Sequence, residues 1–406
     1  MTPVRILRLA AGGDGVGKLA DGKTVFVPRT APGDLVELAD LREHKRFARA
    51  RLGRILEPSS ERVDPRCPHY VQDDCGGCQV QHLGYEAQLV SRSAFVGDAL
   101  RRLGKRDVPD PPIARAARVY DYRTKVTLHV SDGGRRIGLH RFGRPDQLFD
   151  LKWCHITVPE LMALWQVVRA LRPLLPPQLV QVVLRLDRSG GRHVVLRVGE
   201  GEVWSGFARL RQELERKGTP ATIWYQPEGG AARAVAGAAE AFPATVFEQV
   251  NPEMGDQVRE FAVKQLGDVD GRRVWDLYAG IGETSVQLLG QRAMVESVEL
   301  DRRAVAEAEL RGPAARRLTG RVEDVLRELH RPDLVIANPP RTGMDERVTA
   351  ELDRLAPERL VYISCDPATL ARDLQRLPSL RLTAVQAFDL FPQTTHVETV
   401  ATLERA

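Results

Sequence analysis

Five cysteines stand in this chain of 406 residues, and their spacing divides them into four and one. Cys67, Cys75 and Cys78 form a C-x7-C-x2-C cluster, and Cys154 follows Trp153 far downstream. Four thiolates complete a metal or iron–sulfur site. Cys365 stands apart, in Ser364-Cys365-Asp366-Pro367, directly after the apolar run Leu360-Val361-Tyr362-Ile363. A helix beginning near Ala368 would aim its N-terminal dipole at this thiol and favour the thiolate, the form in which cysteine is a nucleophile. A plain buried core cysteine is the competing reading of a thiol that closes an apolar strand.

A second set of residues suits a nucleoside cofactor. Asp276-Leu277-Tyr278-Ala279-Gly280-Ile281-Gly282-Glu283-Thr284 ends one apolar run and opens a helix, and Glu299 closes the next run, placed to accept hydrogen bonds from a ribose diol. NAD would use the same acid, but its pyrophosphate wants the third glycine of G-x-G-x-x-G, and that position is Ser285. Adenosylmethionine has no pyrophosphate, so the missing glycine favours it. A third run delivers Asn338-Pro339-Pro340-Arg341. An aromatic residue after the prolines would suggest amino methylation of adenine, and Arg341 points away from that chemistry. Near the end, His396 and Glu398 lie two apart, a spacing that on a strand puts both on one face.

These residues need a scaffold that brings them to one edge. From about residue 241, short apolar strands at 274–278, 295–300, 333–337 and 359–363 alternate with amphipathic helices at roughly 284–290, 302–311, 346–356 and 368–377. This is the pattern of a doubly wound parallel sheet, which binds ligands at the carboxyl ends of its strands. Runs at about 380–390 and 396–403 lack a helix between them and are expected to pair as a terminal antiparallel hairpin, the way class I methyltransferases finish their sheet. Residues 59–240 read as a mixed α+β segment. It has a helix at 85–103, a proline-rich joint at 109–112, and strands at 125–130, 181–186, 193–198 and 222–225. Residues 1–58 read as short strands between turns.

Composition allows two or three domains, with 43% hydrophobic residues and no apolar stretch of membrane-spanning length. Few cysteines and no N-terminal apolar segment lead to the expectation of a cytoplasmic protein without disulfides. The net charge of +5 is mildly basic. Arg42 to Arg54 alone carries six Lys/Arg against one Glu, a run read as a phosphate-contacting edge of the small β domain, with an ordinary solvated face as the alternative. Tyr122-Arg123-Thr124-Lys125 and His140-Arg141-Phe142-Gly143-Arg144 mix bases with aromatics and suit stacking on unpaired bases.

The segment G-D-G-V-G-K-L…V-F-V-P-R-T-A-P-G-D-L-V resembles the TRAM domain, a small OB-like β-barrel of RNA-modifying enzymes, which implies RNA binding. The motifs around Asp276, Asn338 and Cys365, with Phe391-Pro392-Gln393-Thr394-Thr395-His396-Val397-Glu398 and Phe247-Glu248-Gln249-Val250-Asn251, together resemble the RNA uracil-5-methyltransferases. The resemblance implies a class I (Rossmann-like) methyltransferase domain at 241–406, a cluster-bearing central domain at 59–240 and the barrel at 1–58. It implies that Cys365 adds to C6 of uracil and that Glu398 is the general base for the C5 proton. It also implies that Gln249, Tyr278, Glu299 and Asn338 line an S-adenosylmethionine site, and that the target nucleotide is flipped out or lies in a loop.

The four front cysteines do not match a zinc ribbon, which would show two C-x2-C pairs. Thiolates from distant parts of the chain suit a four-iron four-sulfur cluster, and the family's ribosomal-RNA members carry four cysteines in this layout with a slightly shorter first gap; zinc and unliganded thiols are the alternatives. His69 and His82 are expected to be ordinary surface histidines. The family usually has Asp where this chain has Asn338, and Glu283 is expected to replace part of that lost charge. Ribosomal RNA is the expected substrate and transfer RNA the alternative, with no membrane, no obligatory protein partner and a monomeric chain. A non-catalytic RNA-binding or ribosome-assembly factor is the reading from a different class.

Overall fold

The computed structural model describes residues 3–134, 136–200, 204–237 and 248–406. Phe247, and the expected boundary at 240–241, lie outside the described residues. Strands β1 (Val4–Leu9), β2 (Gly15–Lys18), β3 (Thr24–Val27), β4 (Leu35–Glu43) and β5 (Phe47–Glu57) close into a barrel in the order β1-β2-β3-β5-β4. The basic run is therefore largely a strand. Ala48 and Ala50 alternate inward with Arg49 and Arg51 outward, the period-two pattern of a half-buried strand. On the outer face Arg49 pairs with Asp14, Arg51 with Asp40 and Arg54 with Glu37. Half of the six expected phosphate-contacting charges are thus neutralised within the barrel, leaving Arg42, Lys45 and Arg46 exposed around the β4–β5 connection.

Helix α1 (Pro68–Gln72) and helix α2 (Tyr85–Arg102) follow, then β6 (Ile113–Ala114). The central sheet comprises β7 (Lys125–Ser131), β8 (Arg136–Arg141), β9 (Arg144–Asp150), β10 (Leu179–Leu186), β11 (Arg192–Val198), β12 (Thr222–Pro227) and β13 (Arg233–Ala236). Its order is β13-β12-β11-β10-β7-β8-β9. One face is apolar and covered by α3 (Pro159–Ala170) and α4 (Phe207–Arg216), whose Leu161, Leu164, Trp165, Leu210 and Leu214 are fully buried. Trp165 satisfies its indole N–H on the Leu151 carbonyl, as a buried indole must. The other face carries Lys125, His129, Gln181, Arg185, His193 and Arg197, which the strand registers place side by side.

After α5 (Pro252–Gln265) comes the alternation expected of a doubly wound sheet. The elements are β14 (Arg273–Leu277), α6 (Glu283–Gly290), β15 (Met294–Glu299), α7 (Arg302–Arg311), β16 (Arg316–Thr319), α8 (Val322–Val325), β17 (Leu334–Ala337), α9 (Glu346–Leu355), β18 (Arg359–Ser364), α10 (Pro367–Gln375), β19 (Leu380–Phe388) and β20 (Glu398–Arg405). The sheet runs β16-β15-β14-β17-β18-β20-β19-β6, and the order reverses at β14/β17, where a cofactor crevice opens. Its strands are apolar on both faces because both are covered. Trp275, Val335 and Ala337 pack under α2, α9 and α10, while Val274, Leu334 and Ile336 pack under α5 and α6. The terminal pair β19–β20 is antiparallel, as expected, although β20 begins at Glu398, so His396 precedes the strand rather than sharing its face. Two contributions to this sheet come from the front half. α2 lays Val96 and Leu100 on its core, and β6 pairs with β19 as an eighth strand. Among the described residues no helix is long and apolar enough to cross a membrane.

Candidate active site

The loops of Asp276, Glu299, Asn338 and Cys365 leave the carboxyl edge of the parallel strands, and β20, running the other way, brings its first residue to the same edge. A cavity of about 1430 Å³ opens there, lined by Gln249, Tyr278, Glu299, Asn338, Cys365 and Glu398 together with Cys67, Cys75, Cys78 and Cys154.

At the cofactor end, the turn after β14 is tight. Tyr278 takes φ +62 and Gly280 φ +57, left-handed conformations that a side chain resists, and a Cβ on Gly280 would meet nothing within 4 Å. The backbone there faces open space, a cradle that fits the approach of adenosylmethionine. Glu299 anchors the turn by accepting the Gly280 N–H (2.9 Å) and the Asp301 N–H (2.8 Å), which fixes its carboxylate at the end of β15. Ser285, where a dinucleotide fold would need glycine, is buried and donates to Asp276 (2.6 Å). Burial pushes the Asp276 carboxyl up to about 6, with the Ser285 bond working against it.

Glu283 corrects an expectation. Its carboxylate is taken by two arginines, Arg188 at 2.8 Å and Arg259, and both arginines also bind Asp256. A carboxylate held between two guanidiniums does not supply the charge that Asn338 lacks. Instead it ties the first turn of α6 to the β10–β11 connection of the central sheet. Asn251, in the motif around Gln249, is the N-cap of α5 and donates its amide to the Leu390 carbonyl; the cavity-lining residue of that motif is Gln249.

The loop after Asn338 is fastened by the residues that follow Cys365. Asp373, fully buried, accepts from Tyr362 (2.7 Å) and from the Met344 N–H (2.8 Å), while Arg372 donates to the Thr342 carbonyl (2.7 Å). Gly343 sits at φ +78, and a Cβ there would lie 2.3 Å from Thr369. These contacts fix the loop of Arg341, which lines the same cavity as Cys365, Glu398 and His396, and all three feel its charge.

Ser364 pairs with Thr399 across β18–β20, so the next step brings Cys365 opposite Glu398. Asp366 caps α10 by accepting the Thr369 N–H (2.8 Å), leaving Cys365 just outside the helix N-terminus. The expected lowering of the thiol by the helix is overridden: burial raises the Cys365 pKa, the Glu398 and Asp366 charges raise it further, and Arg341 opposes. Burial likewise pushes Glu398 up to about 8, against the attraction of Arg341. A thiol and a buried carboxyl able to exchange a proton near neutral pH therefore face one another beside the turn after β14.

The front cysteines converge from three loops. Cys67 precedes α1, Cys75 and Cys78 follow it, and Cys154 precedes α3. All four thiols are free, and Cys67, Cys75 and Cys78 each sense the charge of Cys154. Burial raises all three, Cys75 to about 12. Backbone N–H groups of His69, Tyr70 and His155 are aimed at Cys67, and that of Gly77 at Cys75 (3.4 Å), donors that suit thiolate sulfur. Among the described residues, no three His, Cys, Asp or Glu side chains gather as ligands of a single metal ion. His69 and His82 are buried, not on the surface: His69 bonds Asp73 and the Lys152 N–H, and His82 bonds Tyr70 and the Thr30 carbonyl. Tyr122 is also internal, 1% exposed with its hydroxyl on the Pro392 carbonyl, and Phe142 lies under Arg29, so the stacking expected of Tyr122 is not available.

A family model described as tRNA (Uracil-5-)-methyltransferase matches residues 312–406. A protein of Thiobacillus denitrificans named 23S rRNA (uracil(1939)-C(5))-methyltransferase RlmD is 32% identical over 438 residues, covering 100% of both chains. An uncharacterized RNA methyltransferase of Gloeobacter violaceus is 31% identical over 99% of this chain and 96% of its own. The fold matches that of the Pyrococcus abyssi tRNA (uracil-54, C5)-methyltransferase solved with S-adenosyl-L-homocysteine, with a TM-score of 0.75, 21% identity and 99% of each chain covered. By whole-length similarity to such relatives, the chain belongs to the adenosylmethionine-dependent RNA uracil-5-methyltransferase family.

Proposed function

We propose that this protein methylates C5 of a specific uridine in 23S ribosomal RNA through a covalent cysteine adduct. The observation that carries the reading is the placement of Cys365 opposite Glu398, one strand from the loop of Asn338 and two from the cofactor turn. Uracil C5 is a weak nucleophile. Cys365, once its thiol proton has passed to water, adds as the thiolate to C6 and moves the ring electrons to C5 as an enolate, beside which Arg341 offers a stabilising cation. Adenosylmethionine, when bound, supplies the electrophilic methyl group. Gln249, Tyr278, Glu299 and Asn338 line its place, with Glu299 positioned for the ribose diol. Glu398, ionised, then removes the C5 proton; the C5–H electrons re-form the C5–C6 double bond, and the Cys365 sulfur leaves as thiolate.

Ribosomal RNA is favoured over transfer RNA by the full-length relative that carries a 23S name at 32% identity. We further propose the division 1–58, 59–240 and 241–406, with the barrel acting as a TRAM-type RNA-binding domain, and a monomer that works in the cytoplasm. Cys67, Cys75, Cys78 and Cys154 would hold a four-iron four-sulfur cluster of structural role. Four thiols brought together from separate loops suit such a cluster, with zinc as the alternative. Mapping 5-methyluridine in the RNA of a strain lacking the gene tests the assignment. Loss of one site in 23S RNA, restored by the wild-type chain and not by Cys365→Ala, is expected; a lost site in transfer RNA, or none, overturns it.

A further inference from the structure

Between Asp389 and Glu398 the chain has no regular structure, yet this arm carries His396 and Glu398 into the cavity. Five successive carbonyls along it are each engaged. Leu390 accepts from the Asn251 amide (3.1 Å), Phe391 from the N–H and hydroxyl of Thr394 (3.2 and 2.7 Å), and Pro392 from the Tyr122 hydroxyl (3.0 Å). Gln393 accepts from the backbone N–H groups of both Gln79 and Val80 (3.2 Å each), and Thr394 from Arg92 (2.7 Å). Gln393 is 3% exposed and sits at φ +71, a conformation that costs a non-glycine residue free energy and persists only where the surroundings over-determine it.

A reciprocal amide pair provides that. Gln88 donates to the Gln393 side-chain oxygen (3.0 Å) and accepts the Gln393 N–H (3.1 Å), and Gln88 is itself fixed by the carbonyls of Val80 and Leu83. Arg92, one turn further along α2, pairs with the buried Asp389 at the root of the arm. Most of these donors come from residues 79–122, in the front half of the chain, and Gln79 directly follows Cys78. A loop that merely joined β19 to β20 would need none of them.

We propose that Gln88 and Gln393 are positioning residues for the base: their paired amides, with the Gln79–Val80 backbone, lock the arm so that Glu398 meets the C5 proton of the methylated adduct. This rests on the covalent reading given above. Thiol addition and methyl transfer depend on the end of β18 and the cofactor turn, which the amide pair does not touch. Loosening the arm therefore slows one step, in which the C5–H bond breaks, its electrons re-form the C5–C6 double bond, the Cys365 S–C6 bond breaks with the pair going to sulfur, and Glu398 takes the proton.

The test is a single turnover on an unmodified RNA transcript that the wild-type enzyme methylates, with methyl-labelled adenosylmethionine, separating protein-bound from free labelled RNA on a denaturing gel. Gln88→Leu and Gln393→Gly are compared with Glu398→Gln. Both are expected to transfer methyl within about threefold of wild type while the labelled adduct decays about tenfold or more slowly. Glycine at 393 removes the backbone strain, so a purely conformational role would leave that variant at the wild-type rate. Should Gln88→Leu not fold, Gln88→Glu, which keeps the acceptor for the Gln393 N–H, reads the same partition. Equal slowing of both steps, or normal adduct decay while Glu398→Gln traps adduct, overturns the positioning role. Absence of adduct in every variant, Glu398→Gln included, overturns the covalent reading and the proposal with it.

Discussion

Cys365 and Glu398 stand opposite one another one step beyond the Ser364–Thr399 rung of the sheet, and the charge of Glu398 helps to hold the Cys365 thiol up. Burial holds the Glu398 carboxyl at about 8, which predicts a pH profile. A base with a pKa of about 8 is mostly neutral at pH 6, so release of 5-methyluridine should rise with pH and level off above about 8. Single-turnover rates between pH 6 and 9 check this, and a flat profile would remove Glu398 from the proton step.

The same carboxyl makes a stability prediction of opposite sign. Its folded pKa of about 8 lies above the ordinary value of 4.5, so its contribution to stability is full below 4.5 and is lost as pH rises through about 8. Glu398→Gln should therefore unfold at a higher temperature than wild type at pH 8.5, with the gap closing toward pH 5. Melting curves at the two pH values decide it.

Cys365→Ala should lower methyl transfer by about 10³-fold or more while leaving RNA affinity unchanged, because its sulfur is asked to form a bond and supports no neighbouring element. Gel-shift titration alongside label transfer separates the two effects.

Arg188→Ala should weaken adenosylhomocysteine binding by about tenfold, because Glu283 loses a partner and the first turn of α6 loses its tie to the central sheet. Asn338→Asp should act in the other direction and selectively. A carboxylate facing the sulfonium is worth about 1 kcal/mol in a wet site, tightening adenosylmethionine by about fivefold and leaving adenosylhomocysteine alone. Calorimetric titration with the two ligands reads both changes.

In the barrel, Asp34 is fully buried and accepts from the Ala31 and Ser59 N–H groups and from Arg62. Burial alone would raise its pKa, but these donors outweigh it and hold the carboxyl below its usual value. Removing it strands Arg62, so Asp34→Ala should cost about 3–5 kcal/mol. Stability from this group is present above pH 4 and lost below it, which acid titration of the wild type followed by circular dichroism would register.

The strand ends bearing Asp276, Glu299, Asn338 and Cys365 were legible because short apolar runs between helices repeat a local pattern. The antiparallel close of the sheet was legible because no helical period separates its last two runs. Other features were not. The alternation in Phe47–Glu57 is written in alanine and arginine, which reads as charge before it reads as a strand. Arg188, Arg259 and Glu283 meet from three elements, and no spacing along the chain announces such a meeting. Gln88 and Gln393 are 305 positions apart. His69, His82 and Tyr122 look polar by type, and only the packing around them makes them internal.

Among the described residues, the shortest strand has the longest reach. Ile113–Ala114 forms the eighth strand of a sheet whose partner β19 lies more than two-thirds of the chain further on, and α2 caps the same core. During synthesis these pieces leave the ribosome long before the strand they pair with, and domains generally fold from the N-terminal end. Val96 and Leu100 of α2, unlike Ala87 and Phe95, which pack beside the barrel, must wait for their partners until the last strands emerge. Cutting the gene at 241 would produce a catalytic half with an open sheet edge and a bare hydrophobic flank, poorly suited to life as a free domain. Any attempt to transplant this chemistry onto another RNA-binding head should carry residues 85–114 along with it.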